Sequence, residues 1–106
     1  MSELAPPFDT WIEWYTPEEG QEFLRWLWPR LTRYDQAFIA GSLGEEYECL
    51  AFALDAATGA GIKVPPRLLE PLEKMAAVDP SVSPVQMLAD RIAQNQALPD
   101  SMIPAE

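Results

Sequence analysis

Proline fills 11 of the 106 positions of this chain, and the placement of those prolines divides it into short elements. That is about twice ordinary usage. A proline has no backbone N–H for a helical or sheet ladder, and it pushes the residue before it out of the α region. Pro17 and Pro84 stand at first helical positions, where the missing N–H costs nothing. Pro29 ends or kinks a helix at Trp28, and Pro65-Pro66 makes residues 62–66 an extended connector. Pro71 is expected to divide the next segment into a one-turn lead-in and a helix beginning near Glu70, and Asp79-Pro80 to stop that helix. The closely spaced PxxP repeats of a proline-rich recognition tract are missing.

Between these breaks the signals are helical. Four segments have the form of a capping box: Thr16-Pro17-Glu18-Glu19, Thr32-Arg33-Tyr34-Asp35, Ser42-Leu43-Gly44-Glu45 and Ser83-Pro84-Val85-Gln86. In such a box the hydroxyl accepts the third helical amide and the later side chain reaches back to the cap amide. Apolar residues then recur at helical spacing. Phe8, Trp11, Ile12 and Tyr15 make a first stripe, and Phe23, Leu24, Leu27, Trp28 and Leu31 a second. Tyr34 and Phe38 mark a third helix. A fourth runs from about Glu45 to Thr58, with Gly59 as its left-handed cap. Leu68, Leu69, Leu72, Met75 and Ala76 make a fifth face, and Val85, Leu88, Ala89 and Ile92 a sixth. No strand alternation or internal repeat stands out. The fold expected is all-α, a compact bundle of five or six short helices with Pro-rich connectors. One helical domain covers residues 1–96, followed by a mobile tail over 97–106.

The charge is uneven. Of the net −10, −8 lies in residues 1–55, which also hold every aromatic ring. A basic face for nucleic-acid phosphates is therefore missing. No apolar run approaches the length that spans a bilayer, and the start at Met1-Ser2-Glu3-Leu4 lacks the basic and apolar regions of a signal peptide, so the expected compartment is cytoplasmic.

Chemistry is restricted by what is missing. Without histidine the chain lacks the commonest general base and metal ligand. Cys49 has no adjacent base to activate it and reads as core packing. Glu18, Glu19 and Glu22, and likewise Glu45, Glu46 and Glu48, fall near helix starts, where the macrodipole favours the ionised form; a general acid needs the reverse. Acids at alternate positions around a central glycine, as in a Ca²⁺ loop, are not found. Gly59-Ala60-Gly61-Ile62-Lys63 lacks the spacing of a phosphate loop. Arg25, Arg30 and Arg33 read as surface pairs for the surrounding acids. The expectation is a protein that is not an enzyme, with no catalytic residues, no metal and no cofactor. The four tryptophans between residues 11 and 28 have two readings: rings filling a small core, or rings partly exposed beside acids as a binding patch.

From Phe38 to Val78 the chain resembles a known family. Gly44-Glu45 opens a helix whose body, Tyr47-Glu48-Cys49-Leu50-Ala51-Phe52-Ala53-Leu54, is rich in Ala and Leu; Gly61-Ile62-Lys63-Val64-Pro65 connects it to Leu68-Leu69-Glu70-Pro71-Leu72. This is similar to small helical immunity proteins of bacterial polymorphic toxin systems, of the MafI type. The pattern departs at Phe52 and Pro71 and leaves out the Trp-rich first third. The resemblance implies a protein that neutralises a cognate toxin domain by direct binding in the producing cell. Combined with the charge, it points to an acidic-aromatic face that occludes a basic toxin surface, with contacts from Trp14, Glu18, Glu22, Glu45, Glu46 and Glu48, and with neither nucleic acid nor membrane as a direct partner. A regulatory or adaptor module, including a DNA mimic, is the alternative.

Overall fold

The computed structural model describes residues 12–13, 16–42, 44–79 and 81–105. The first expected helix, around residues 8–15, lies outside them except for Ile12 and Glu13, which are helical. Five α-helices follow: α1 (Glu18–Leu27), α2 (Arg33–Ala40), α3 (Glu46–Gly59), α4 (Pro66–Ala76) and α5 (Ser83–Gln96). Short 3₁₀ turns cover Trp28–Arg30 and Asp100–Met102. Among the described residues there is no strand, so the chain is an all-α bundle.

Four helices close a ring. α3 packs on α5 most extensively and also on α1, while α4 packs on both α5 and α1. α2 sits outside that ring, against α3. Neighbours on several sides explain why α3 buries Cys49, Leu50, Ala51, Ala53, Leu54 and Ala57 rather than a single stripe. The core shared by the ring contains Phe23, Leu24 and Leu27 from α1, Leu68, Leu69 and Leu72 from α4, and Leu88 and Ile92 from α5.

The helix starts come near the capping segments, but only Thr32 caps as expected. Its Oγ1 accepts the Asp35 amide at 3.2 Å and donates to Asp35 Oδ2 at 3.1 Å. At α1 the turn is carried by Pro17 (ψ 146°), and the Thr16 hydroxyl is buried with no hydrogen-bond partner among the described residues. Ser42 instead closes the end of α2, donating to the Ile39 carbonyl at 2.8 Å. Ser83 lies inside α5 as its first residue, one position too late to cap it.

Two helix boundaries also differ from the sequence reading. Gly59 is the last residue of α3; the left-handed position is Gly61, at φ 74°. Ile62 N donates to Ala57 O at 2.9 Å and Gly61 N to Thr58 O at 3.1 Å, the paired bonds of a Schellman end. Pro71 does not divide the fifth segment, because the helix starts at Pro66 and continues through it. A proline there forfeits one ladder bond, and burial of Leu68, Leu69, Leu72, Met75 and Ala76 on one stripe holds the turns together. Pro29, as expected, ends the α-helix, which tightens into the 3₁₀ turn.

The segment expected as a mobile tail is folded back. Lys63 N donates to Met102 O at 3.0 Å, and Lys63 Nζ reaches both Leu98 O and Asp100 Oδ1 at 2.8 Å. Beneath this clip Asn95 is fully buried. Its Oδ1 accepts the Val64 amide at 2.8 Å, and its Nδ2 donates to Ile62 O at 2.9 Å and Thr58 Oγ1 at 3.1 Å.

Gly20, on α1, packs closely against Leu50 of α3. A Cβ there would meet Leu50 Cδ2 at 2.6 Å and Cδ1 at 2.9 Å, whereas one on Gly59 would meet nothing within 4 Å. Gly→Ala in a helix gains up to about 1 kcal/mol of propensity, and overpacking a filled core costs about 1–3 kcal/mol. Chemical denaturation should therefore show Gly20→Ala destabilised by about 1 kcal/mol and Gly59→Ala unchanged or stabilised. Equal effects from both would mean that the α1–α3 crossing is not tight.

The clip carries a pH dependence. The Lys63 ammonium, by hydrogen bond and by charge, holds the Asp100 carboxyl below its ordinary value of 3.8. A depressed folded value stabilises above the unfolded one and is lost as pH falls through the folded one. The Lys63 amide NMR resonance should stay constant from neutral pH to about 4 and move below that. Asp100→Asn should move it at neutral pH.

Candidate protein-binding face

The acids named from the sequence fall at two helix starts. Glu18 and Glu22, both exposed, are one turn apart on α1. Glu22 Oε1 accepts a bond from Arg67 Nη1 of α4 at 3.4 Å, so this carboxylate also ties α1 to α4 across the surface. Glu45 and Glu46 are exposed at the start of α3, and Glu48 is half-buried. Glu45 and Glu48 share a face three residues apart, and Glu46 is turned about 100° from Glu45. The described residues contain no group of three acids, cysteines or histidines placed to hold a metal ion. Trp14 lies outside the described residues.

The two tryptophans that are described are packed. Trp28 is buried, and its carbonyl accepts from Gln36 Nε2 at 2.8 Å. Trp26 is half-buried under the Arg30 guanidinium, 4.3 Å from the ring centroid, while Arg30 Nη1 donates to the Trp26 carbonyl at 2.6 Å. Arg25 faces Glu13 at 3.7 Å. For these rings the core reading is the better one, and Arg25 takes an acid as expected.

The exposed rings are elsewhere. On α2 the residue that faces the core is Ile39, and the expected stripe of Tyr34 and Phe38 points outward, 80% and 55% exposed. The reason is the position of α2, a helix of eight residues outside the ring whose main packing among the described elements is on α3. Phe38 leans on Phe52 of α3, with ring centroids 5.1 Å apart and planes inclined by 58°. A groove of about 360 Å³ opens there, lined by Tyr34, Asp35, Phe38, Phe52, Asp55 and Ala56. Glu48, Phe52 and Asp55 follow one another at i, i+4 and i+7 on α3, so the aromatic floor is bracketed by acids. That spacing is visible in the sequence; the outward turn of Tyr34 and Phe38 is not. Asp55 is held from behind by Arg91 Nε at 2.8 Å.

Cys49 is not arranged as a nucleophile. Its thiol is buried, lies 3.9 Å from the Ile39 carbonyl, and has its pKa raised by that burial. A thiolate is the reactive form, so this environment opposes reaction. What the α2–α3 surface offers is aromatic contact area flanked by carboxylates, which suits association with a protein.

No protein-family model, curated protein or solved structure matches the chain. Among the described residues no helix is long and apolar enough to cross a membrane.

Native Cys49 should react with a colourless-to-yellow disulfide reagent at least about a hundredfold more slowly than the unfolded chain. Rapid labelling of the native protein would place the thiol at the surface.

Proposed function

We propose that this chain is an immunity protein that neutralises a cognate bacterial toxin in the cytoplasm of the producing cell, by direct binding and occlusion, without catalysis. The observation that carries the reading is the pair of exposed rings, Tyr34 and Phe38, beside acids in a chain of net charge −10. Large rings left outside a well-filled core are the residues that anchor protein interfaces. The acids supply long-range attraction toward a basic surface, which toxins acting on nucleic acids need for their substrates. The likeness of residues 38–78 to MafI-type immunity proteins narrows a binding role to this one. In that reading Glu18, Glu22, Glu45, Glu46 and Glu48 steer the toxin, and Trp14 remains a proposed contact.

Co-expression with the neighbouring open reading frame tests the function. Rescue of growth from a toxic neighbour is the expected result, and recovery instead of a transcription or secretion component in a pull-down would favour an adaptor. Steering has its own measurement. Replacing Glu45, Glu46 and Glu48 by Lys should slow association with the purified toxin about tenfold at low salt and flatten its salt dependence. Unchanged association kinetics in the triple variant would remove the steering role.

A further inference from the structure

We propose that the groove between α2 and α3 is the anchor site for the partner, and that it takes a protein segment in which an arginine or lysine stands beside an apolar side chain. This rests on reading the chain as a protein-binding one and adds where the partner is held and by what chemistry.

The apolar half of the site is built from three rings and a methyl group. Tyr34 and Phe38 stand one turn apart on α2, largely uncovered by the rest of the fold, while half-buried Phe52 and Ala56 form the floor. At about 360 Å³ the space accommodates one or two side chains rather than a whole helix. The helix that carries one wall is held in place before any partner arrives. Thr32 and Asp35 close the start of α2, Gln36 ties its middle to Trp28 O, and Ser42 closes its end. A preformed wall lowers the ordering cost of binding.

The charge selects the occupant. Two carboxylates, Asp35 and Asp55, line the groove, and among the described residues no base does. Asp55 is partly neutralised by Arg91, which leaves Asp35 and, one turn before Phe52, Glu48 as the stronger attractions for a cation. A guanidinium can bond a carboxylate while lying on an aromatic face, and this chain already stacks Arg30 on the Trp26 ring while it donates to the Trp26 carbonyl. A second copy of the chain would bring the same acids and be repelled, as would nucleic acid or an anionic bilayer.

The test uses the full chain, labelled with ¹⁵N, and two synthetic helical peptides of twelve residues, one of Leu and Arg and one with Glu in place of Arg. At about 0.15 M salt, where long-range attraction is screened, the Leu/Arg peptide should shift the resonances of Tyr34, Asp35, Phe38, Phe52 and Ala56, and the Leu/Glu peptide should shift none. The double variant Tyr34→Ser/Phe38→Ser should stay folded, its thermal midpoint lower by at most about 8 °C for the lost Phe38–Phe52 contact, and bind the Leu/Arg peptide at least about tenfold more weakly. Shifts spread over Glu18, Glu22, Glu45 and Glu46, with the double variant binding as well as the parent, would overturn the groove, as would no binding at all. Co-expression separates the two levels. Full rescue by the double variant would remove the groove and leave the immunity reading standing. Peptide seated in the groove without rescue by the parent chain would support the groove and remove the immunity reading.

Discussion

The buried amide of Asn95 sets the condition under which the helices can close on one another. α3 must reverse into α4 within a few residues, and the connector places the Val64 amide in the interior and the Ile62 carbonyl partly so. An unpaired buried N–H or carbonyl costs about 1–3 kcal/mol. Asn95, on α5, supplies an acceptor to Val64 N and a donor to Ile62 O from one side chain, so α5 satisfies the connector and α3 together. A side-chain amide offers both kinds of group at that spacing; an aliphatic residue would leave the buried Val64 N–H stranded. Because the connector is fixed, α4 can pack on α5 and α1 while α3 packs on α5 and α1, which is what closes the ring.

That dependence was hidden in the sequence for a physical reason. Asn95 stands between Gln94 and Gln96, in a helix whose apolar stripe ends at Ile92. Periodicity registers apolar residues and passes over a buried polar one, whose partners are more than thirty positions away. The contacts of residues 98–102 are hidden on the same ground: Lys63, Leu98, Asp100 and Met102 meet only once the chain has folded back.

The helices themselves were legible, though not always by the bond that marked them. Ser, Thr and acids gather where helices start because those residues tolerate the non-helical entry and the exposed first turn. The bond is a separate matter of geometry, and a proline that sets the entry angle, as Pro17 does, makes it unnecessary. Pro71 shows the converse. A proline inside a helix has a local cost, but a continuous buried stripe on both sides outweighs one missing hydrogen bond, and the helix is not divided.

The outward rings of α2 follow from the same competition between local pattern and tertiary surroundings. Tyr34 and Phe38 form the larger apolar pair on that helix, so periodicity alone turns them inward. With α2 outside the closed ring, Ile39 fits the narrow contact against α3, and its carbonyl meets the Ser42 hydroxyl and lies near the Cys49 thiol. Burying two large rings there instead would require α2 to stand farther from α3, exposing part of the core that Ile39 now seals. The ring of four helices thus carries most of the packing, α2 adds Ile39 to it, and the rings of Tyr34 and Phe38 are left at the surface. A surface of that kind persists against its solvation cost most simply where a second protein covers it.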